Sequence, residues 1–207
     1  MAVAIFLPAW TLNYWQAWLF IVVFAASGSA ITVYLLKHDP QLMERRLHGG
    51  PGAETSVVQR CAMSAVSLGF VALLIVPALD HRFGWSNVST AAVIGGEVLI
   101  LIGFTIVCDV MRVNPFASAT IETPADQRVI STGPYGIVRH PMYAGAGLYL
   151  IGIPPALGSW WGLCVLAFML PALIWRLLDE EAQLTERLPG YAAYRERVRY
   201  RLLPFVW

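Results

Sequence analysis

An arginine and a histidine stand side by side where a polar stretch meets an apolar one, in Gly133-Pro134-Tyr135-Gly136-Ile137-Val138-Arg139-His140-Pro141-Met142-Tyr143. The Gly-Pro pair makes a turn, and Pro141 falls in the first turn of a helix, where its missing N–H costs nothing. A guanidinium and an imidazole at such a helix start form a positive, donor-rich corner suited to a carboxylate or a phosphate. The mechanical alternative is a snorkelling arginine and an interfacial histidine that only anchor the helix.

A second group is Arg176-Leu177-Leu178-Asp179-Glu180-Glu181. Arg176 and Glu180 are four residues apart and share one helix face, as an ion pair or as two groups turned to a common site. An arginine one turn inside an apolar run is costly unless it has a partner or faces a cavity. The third group is the tail, Pro189-Gly190-Tyr191-Ala192-Ala193-Tyr194-Arg195 and then Val198-Arg199-Tyr200-Arg201-Leu202-Leu203-Pro204. Tyrosines and arginines at helical spacing either cover a bound cofactor or lie on anionic headgroups as an amphipathic helix.

The elements that must position these groups are apolar. Hydrophobic residues make up 57% of the 207-residue chain and charged ones 13%, about half the usual charged share of roughly 25%. Long apolar runs alternate with short polar segments, the pattern of membrane spans. The runs are Ala17–Leu36, Cys61–Leu79, Ala91–Cys108, Tyr143–Leu157 and Trp160–Leu178. The last two are separated by Gly158-Ser159 and predict a tight helical hairpin. The tail, Asp179–Trp207, predicts an amphipathic helix on the membrane surface. No basic region precedes the first run, so it does not read as a cleavable signal peptide.

Lysines and arginines alternate between the connecting segments. None precedes the first run, Lys37, Arg45, Arg46 and Arg60 follow it, and Arg82 stands alone in the next loop. Arg112, Arg128 and Arg139 come next, and the rest lie from Arg176 onward. The positive-inside rule then puts the N-terminus outside, five spans across the membrane and the C-terminus in the cytoplasm. A net charge of +1 gives no basic field for nucleic acid. Cys61, Cys108 and Cys164 fall in separate apolar runs with no metal-ligand spacing, and predict packing residues rather than disulfides or a metal site.

In order and spacing, Gly-Pro-Tyr-x-x-x-Arg-His-Pro-x-Tyr, a short hairpin, Arg-x-x-x-Glu-Glu and Gly-Tyr-x-x-Tyr-x-x-x-Val-x-Tyr-Arg-Leu-x-Pro resemble the isoprenylcysteine carboxyl methyltransferase family from about Asn114 to Trp207. The resemblance implies an all-α integral membrane bundle of five spans forming a single domain. Residues 1–108 would supply three N-terminal spans and 109–207 the cofactor-binding region. It implies S-adenosylmethionine as cofactor, held by Tyr135, Val138, Arg139, His140 and Tyr143 at the fourth span and by Glu181, Tyr191 and Tyr194 toward the tail. By the same match Arg176 and Glu180 are the catalytic pair beside the transferred methyl group.

The chemistry of these side chains suits those roles. The Arg139-His140 corner fits the cofactor's carboxylate, Glu181 its ammonium or a ribose hydroxyl, and the tyrosine rings its adenine. The expected partners are the bilayer and a lipophilic or lipidated acceptor bearing a carboxylate, thiol or amine. The likeness to short bacterial members implies a bacterial plasma membrane. The competing readings are an NADPH-dependent reductase of the sterol-reductase type and a membrane binding protein without turnover. Glu97, inside the third run, either lines a substrate path or snorkels to the outer interface. Asp109–Phe116, with Arg112 and Asn114, is placed to shape the pocket wall.

Overall fold

The computed structural model describes residues 1–54, 56–120 and 127–207, and its regular elements there are all helical. The eight α-helices are α1 (Ala2–Ala9), α2 (Trp15–His38), α3 (Pro40–Leu47), α4 (Val57–Phe83), α5 (Thr90–Val113), α6 (Pro141–Ala156), α7 (Trp161–Arg187) and α8 (Tyr191–Arg197). Local chemistry sets their ends. The Asp39 side chain caps α3 by accepting from the Leu42 N–H at 2.9 Å, with Pro40 in the first turn. The Ser89 hydroxyl caps α5, and Gly84 ends α4 in the left-handed conformation.

Four helices, α2, α4, α5 and α7, are long and apolar enough to cross a membrane. They contain four of the five expected runs. The fifth run becomes α6, whose 16 residues give about 24 Å of helix at 1.5 Å per residue, short of the roughly 30 Å of a hydrocarbon core. Pro154-Pro155 and the left-handed Gly158 stop it there. The structure also contains elements that the hydropathy pattern did not mark. The first residues form α1, whose Ile5 and Ala9 are buried in the main core, and the first polar loop contains α3.

The two arms after Thr132 have different partners. α6 packs chiefly on α5 and α7 chiefly on α4. Glycines bring α5 and α6 into backbone contact: Gly96 meets Gly152 and Gly103 meets Gly145, each pair related by a step of seven residues. A Cβ built on Gly103 would lie 2.6 Å from the Gly145 carbonyl oxygen and 2.7 Å from the Tyr149 nitrogen. Between α2, α4, α5 and α6, Phe24 makes ring contacts with Phe70, Phe104 and Tyr149.

At the end where α6 turns into α7, buried polar groups lock the connections together. Asp80 accepts from the Ser86 N–H at 2.7 Å, from the Ser86 hydroxyl at 2.6 Å and from the Ser159 hydroxyl. The Tyr14 hydroxyl donates to the Leu157 carbonyl, and the Tyr14 ring stacks on His81. This fixes one end of the bundle, and the candidate site residues lie at the other.

Glycine contact between α5 and α6 is directly testable. Gly103→Val should destabilise the detergent-solubilised protein by at least about 1–3 kcal/mol, the cost of overpacking, and lower its thermal midpoint. Gly95→Val, where a Cβ meets nothing within 4 Å, is the control. Equal midpoints for the two variants would mean that α5 and α6 are not in backbone contact.

Candidate functional site

The start of α6 is held by the tail. The backbone N–H groups of Arg139 and His140 donate to the carbonyls of Tyr200 and Arg201, each at 2.9 Å. The Arg139 guanidinium donates to the Val198 and Arg199 carbonyls at 2.9 and 2.7 Å, and with its other nitrogen to Glu181 Oε1 at 2.9 Å. Two further arginines reach the same carboxylate, Arg195 Nε at 3.0 Å and Arg201 Nε at 2.6 Å. His140 Nε2 stands 3.7 Å from Glu181 Oε2, beyond hydrogen-bond range. Glu181 is only 3% exposed, so three guanidiniums supply the donors that water does not.

Apolar packing completes the tail. Leu188, Tyr191, Tyr194 and Val198 form a small buried cluster with Val129 and Leu184. The Tyr194 hydroxyl donates to the Tyr135 carbonyl at 2.8 Å, and the Tyr135 hydroxyl accepts from the Asn114 side-chain amide at 2.7 Å. Burial, together with the Glu180 charge and against the Asn114 hydrogen bond, pushes the Tyr135 phenol up to about 12. Burial likewise raises Tyr191 and Tyr194, so the three rings stay neutral donors.

On α7, Arg176 and Glu180 share a face yet form no ion pair with each other among the described residues. Arg176, 7% exposed, pairs with Glu54 Oε1 at 2.7 Å and donates to Gln59 Oε1 at 2.7 Å and to the Ala119 carbonyl at 3.2 Å. Glu180 Oε2 accepts from the Tyr143 hydroxyl at 2.6 Å. The Gln59 amide in turn donates to Asp179, which also accepts from Gln183 at 2.9 Å.

Arg176 is also one of three arginines along a single strap. Arg45 donates to the Pro115 carbonyl at 2.9 Å, Arg46 to the Ala117 carbonyl at 2.8 Å, and Arg176 to the Ala119 carbonyl. Alternate carbonyls of residues 115–119 are thus each capped by a guanidinium. The strap's close approach to Gly49, where a Cβ would lie 2.5 Å from that of Ala119, requires glycine there. Burial pulls the Arg46 guanidinium below its ordinary value.

A cavity of about 350 Å³ opens between the strap, the start of α6, α7 and α8, within the roughly 300–1,000 Å³ of small-molecule sites. Tyr135, Arg139, His140 and Tyr143 line it from the α6 side. Arg176, Glu180, Tyr191 and Tyr194 line it from α7 and α8. Glu181 and Val138 do not. Both are buried, Glu181 behind the wall with its two oxygens engaged by arginines. The expectation that Glu181 meets an ammonium or a hydroxyl therefore differs from what the geometry offers. Arg139, too, is committed to protein groups.

Of the expected wall segment, Asn114 and Phe116 line the cavity, whereas Arg112 is exposed and lies 3.6 Å from Asp109. Glu97 is 4% exposed and neither oxygen has a hydrogen-bond partner, so it faces neither water nor the outer interface. The motifs gave no hint of Glu54, Gln59, Arg45 or Arg46. The only trace of Glu54 is an acid placed directly after a Gly-Gly-Pro-Gly turn. Among the described residues no cluster of His, Cys, Asp and Glu is arranged to hold a metal ion.

Glu181→Gln tests the clamp. Removing one partner of a buried ion cluster costs about 3–5 kcal/mol, so the thermal midpoint should fall and amide exchange across residues 190–207 should rise. Unchanged exchange would mean that the apolar cluster alone holds the tail.

No curated protein matches the chain. Residues 91–191 match the family model for phospholipid methyltransferase. That stretch runs from the first turn of α5 to the first residue of α8 and includes the strap, Arg139, His140, Tyr143, Arg176, Glu180 and Glu181. Over it the chain is similar to this family of membrane methyltransferases, the same broad family as the isoprenylcysteine carboxyl methyltransferases.

Proposed function

We propose that the protein is an S-adenosylmethionine-dependent methyltransferase acting on a lipophilic or amphipathic acceptor at the cytoplasmic face of a membrane. The observation that carries this reading is one cavity lined by both Arg176 and Glu180, with the Tyr143 hydroxyl on Glu180 and three tyrosine rings nearby. The residues suit the cofactor. The cavity is large enough for a nucleoside-sized group, its rings can stack on a base, and the buried Tyr191 hydroxyl has no protein partner. In this reading Tyr135, Tyr191 and Tyr194 hold the adenosine part, while Arg139 and Glu181 hold the tail that carries two of those rings.

The cofactor supplies an electrophilic methyl group. The protein's share is to place a nucleophile in line with it and to exclude water. The Tyr143 hydrogen bond orients the Glu180 carboxylate, which takes the proton of a thiol or amine acceptor. A carboxylate acceptor has no proton to lose and needs only orientation. Arg176, fixed by Glu54 and Gln59, holds the far side of the acceptor's position. α6 is read as the fifth crossing element, and the alternation of positive charges supports an N-terminus outside and this site inside. Met63 and Met142 give the cavity an apolar side for a lipid-soluble acceptor.

Two measurements test the proposal. Detergent-purified protein should bind tritiated S-adenosylmethionine and not NADPH; binding of NADPH alone would sink the methyltransferase reading. Glu180→Gln should retain cofactor binding and lose about 10²–10⁴-fold in turnover of a thiol or amine acceptor, the range of general-base catalysis. Full turnover in that variant would remove Glu180 from the mechanism.

A further inference from the structure

Four arginines line the cavity, and three have an evident counterpart for their charge. Arg139 is paired with Glu181 and Arg176 with Glu54. Arg128 is exposed to water. Arg46 differs from all three. It is half-buried and donates to the Ala117 carbonyl, and no ion pair among the described residues includes it.

A cation drawn partly out of water without an anion is unfavourable, and one carbonyl offers only a partial charge. The Ala117 bond occupies one arm of the guanidinium. The remaining N–H groups keep the planar fork that recognises carboxylates and phosphates in a bidentate manner. Burial pulls this arginine below its ordinary value, opposed only by the nearby Tyr149 hydroxyl. The position lies on α3, outside residues 91–191 that match the family.

We propose that Arg46 is the oxyanion anchor of the cavity, the group that binds a carboxylate or a phosphate of the ligand. Two sources share that chemistry. One is the carboxylate of S-adenosylmethionine, which rests on the function proposed above. The other is a phosphate on a lipid acceptor, which does not depend on the cofactor. Arg139 is thereby released from the role of carboxylate holder that its motif suggested.

The experiment is equilibrium binding to purified wild type, Arg46→Gln, Arg46→Lys and Arg45→Gln. The probes are S-adenosylmethionine against its decarboxylated analogue, and 1-oleoyl lysophosphatidate against 1-oleoylglycerol. A charge-assisted hydrogen-bonded pair corresponds to a preference of about tenfold or more for the anionic member of one probe pair in the wild type. Arg46→Gln should abolish that preference and Arg46→Lys should retain part of it. Arg45→Gln, which loses an equivalent strap contact outside the cavity, should leave it intact. Loss of the preference in the first pair identifies the cofactor's carboxylate, and loss in the second an acceptor phosphate. An unchanged preference in Arg46→Gln, an equal loss in Arg45→Gln, or no anionic preference in the wild type overturns the proposal. Absence of S-adenosylmethionine binding with the lysophosphatidate preference present overturns the methyltransferase reading and leaves Arg46 as the anchor.

Discussion

One carboxylate, that of Glu181, holds three guanidiniums that come from three places in the chain: Arg139 before α6, Arg195 in α8 and Arg201 beyond it. Four chain segments therefore converge on a side chain that is almost fully buried. In isolation each of these charges would be costly to remove from water. Together they are tolerated because the geometry is close and because carbonyls of Val198 and Arg199 accept from Nη1 of Arg139. The tyrosines that line the cavity sit on the segments this cluster fixes, so the shape of the site follows from it.

A second principle operates on the opposite wall. The strap of residues 115–119 forms no ladder with a neighbouring strand, yet its alternate carbonyls are satisfied by Arg45, Arg46 and Arg176. Arginine side chains here do what a paired backbone does in a sheet. Arg176 thereby belongs both to the wall and to the proposed catalytic pair. Its orientation depends on Glu54 and Gln59, which lie outside the region that matches the family. The N-terminal half thus builds part of the candidate site.

Local signals were the legible ones. Four helices long enough to span lay where the apolar runs predicted, and the four-residue spacing correctly put Arg176 and Glu180 on one face. The partners of Arg176 were not legible, because Glu54 and Gln59 are more than a hundred residues away and only tertiary packing brings them in. The end of α7 was missed for a different reason. Hydropathy stops at Leu178, but Asp-Glu-Glu-Ala-Gln-Leu is made of residues most of which favour helix, and α7 continues to Arg187. The tail helix is correspondingly shorter than expected. α1 leaves no legible trace because seven apolar residues and a proline give too short a pattern to read.

The shortness of α6 has a consequence for the lipid around it. Its 16 residues stand beside helices of 24 to 27, so with α6 read as a fifth crossing element, a bilayer that matches those neighbours is mismatched along it. Lipids meet such a mismatch by thinning locally or by letting headgroups sink, at a cost of fractions of a kcal/mol per Å. That dip would fall on the helix whose N-cap, His140, and first turn, with Tyr143, line the cavity. In the proposed function, a lipid-soluble acceptor there would travel a shorter vertical distance to the aqueous cofactor, and the membrane's own elasticity would become part of how the two reactants meet.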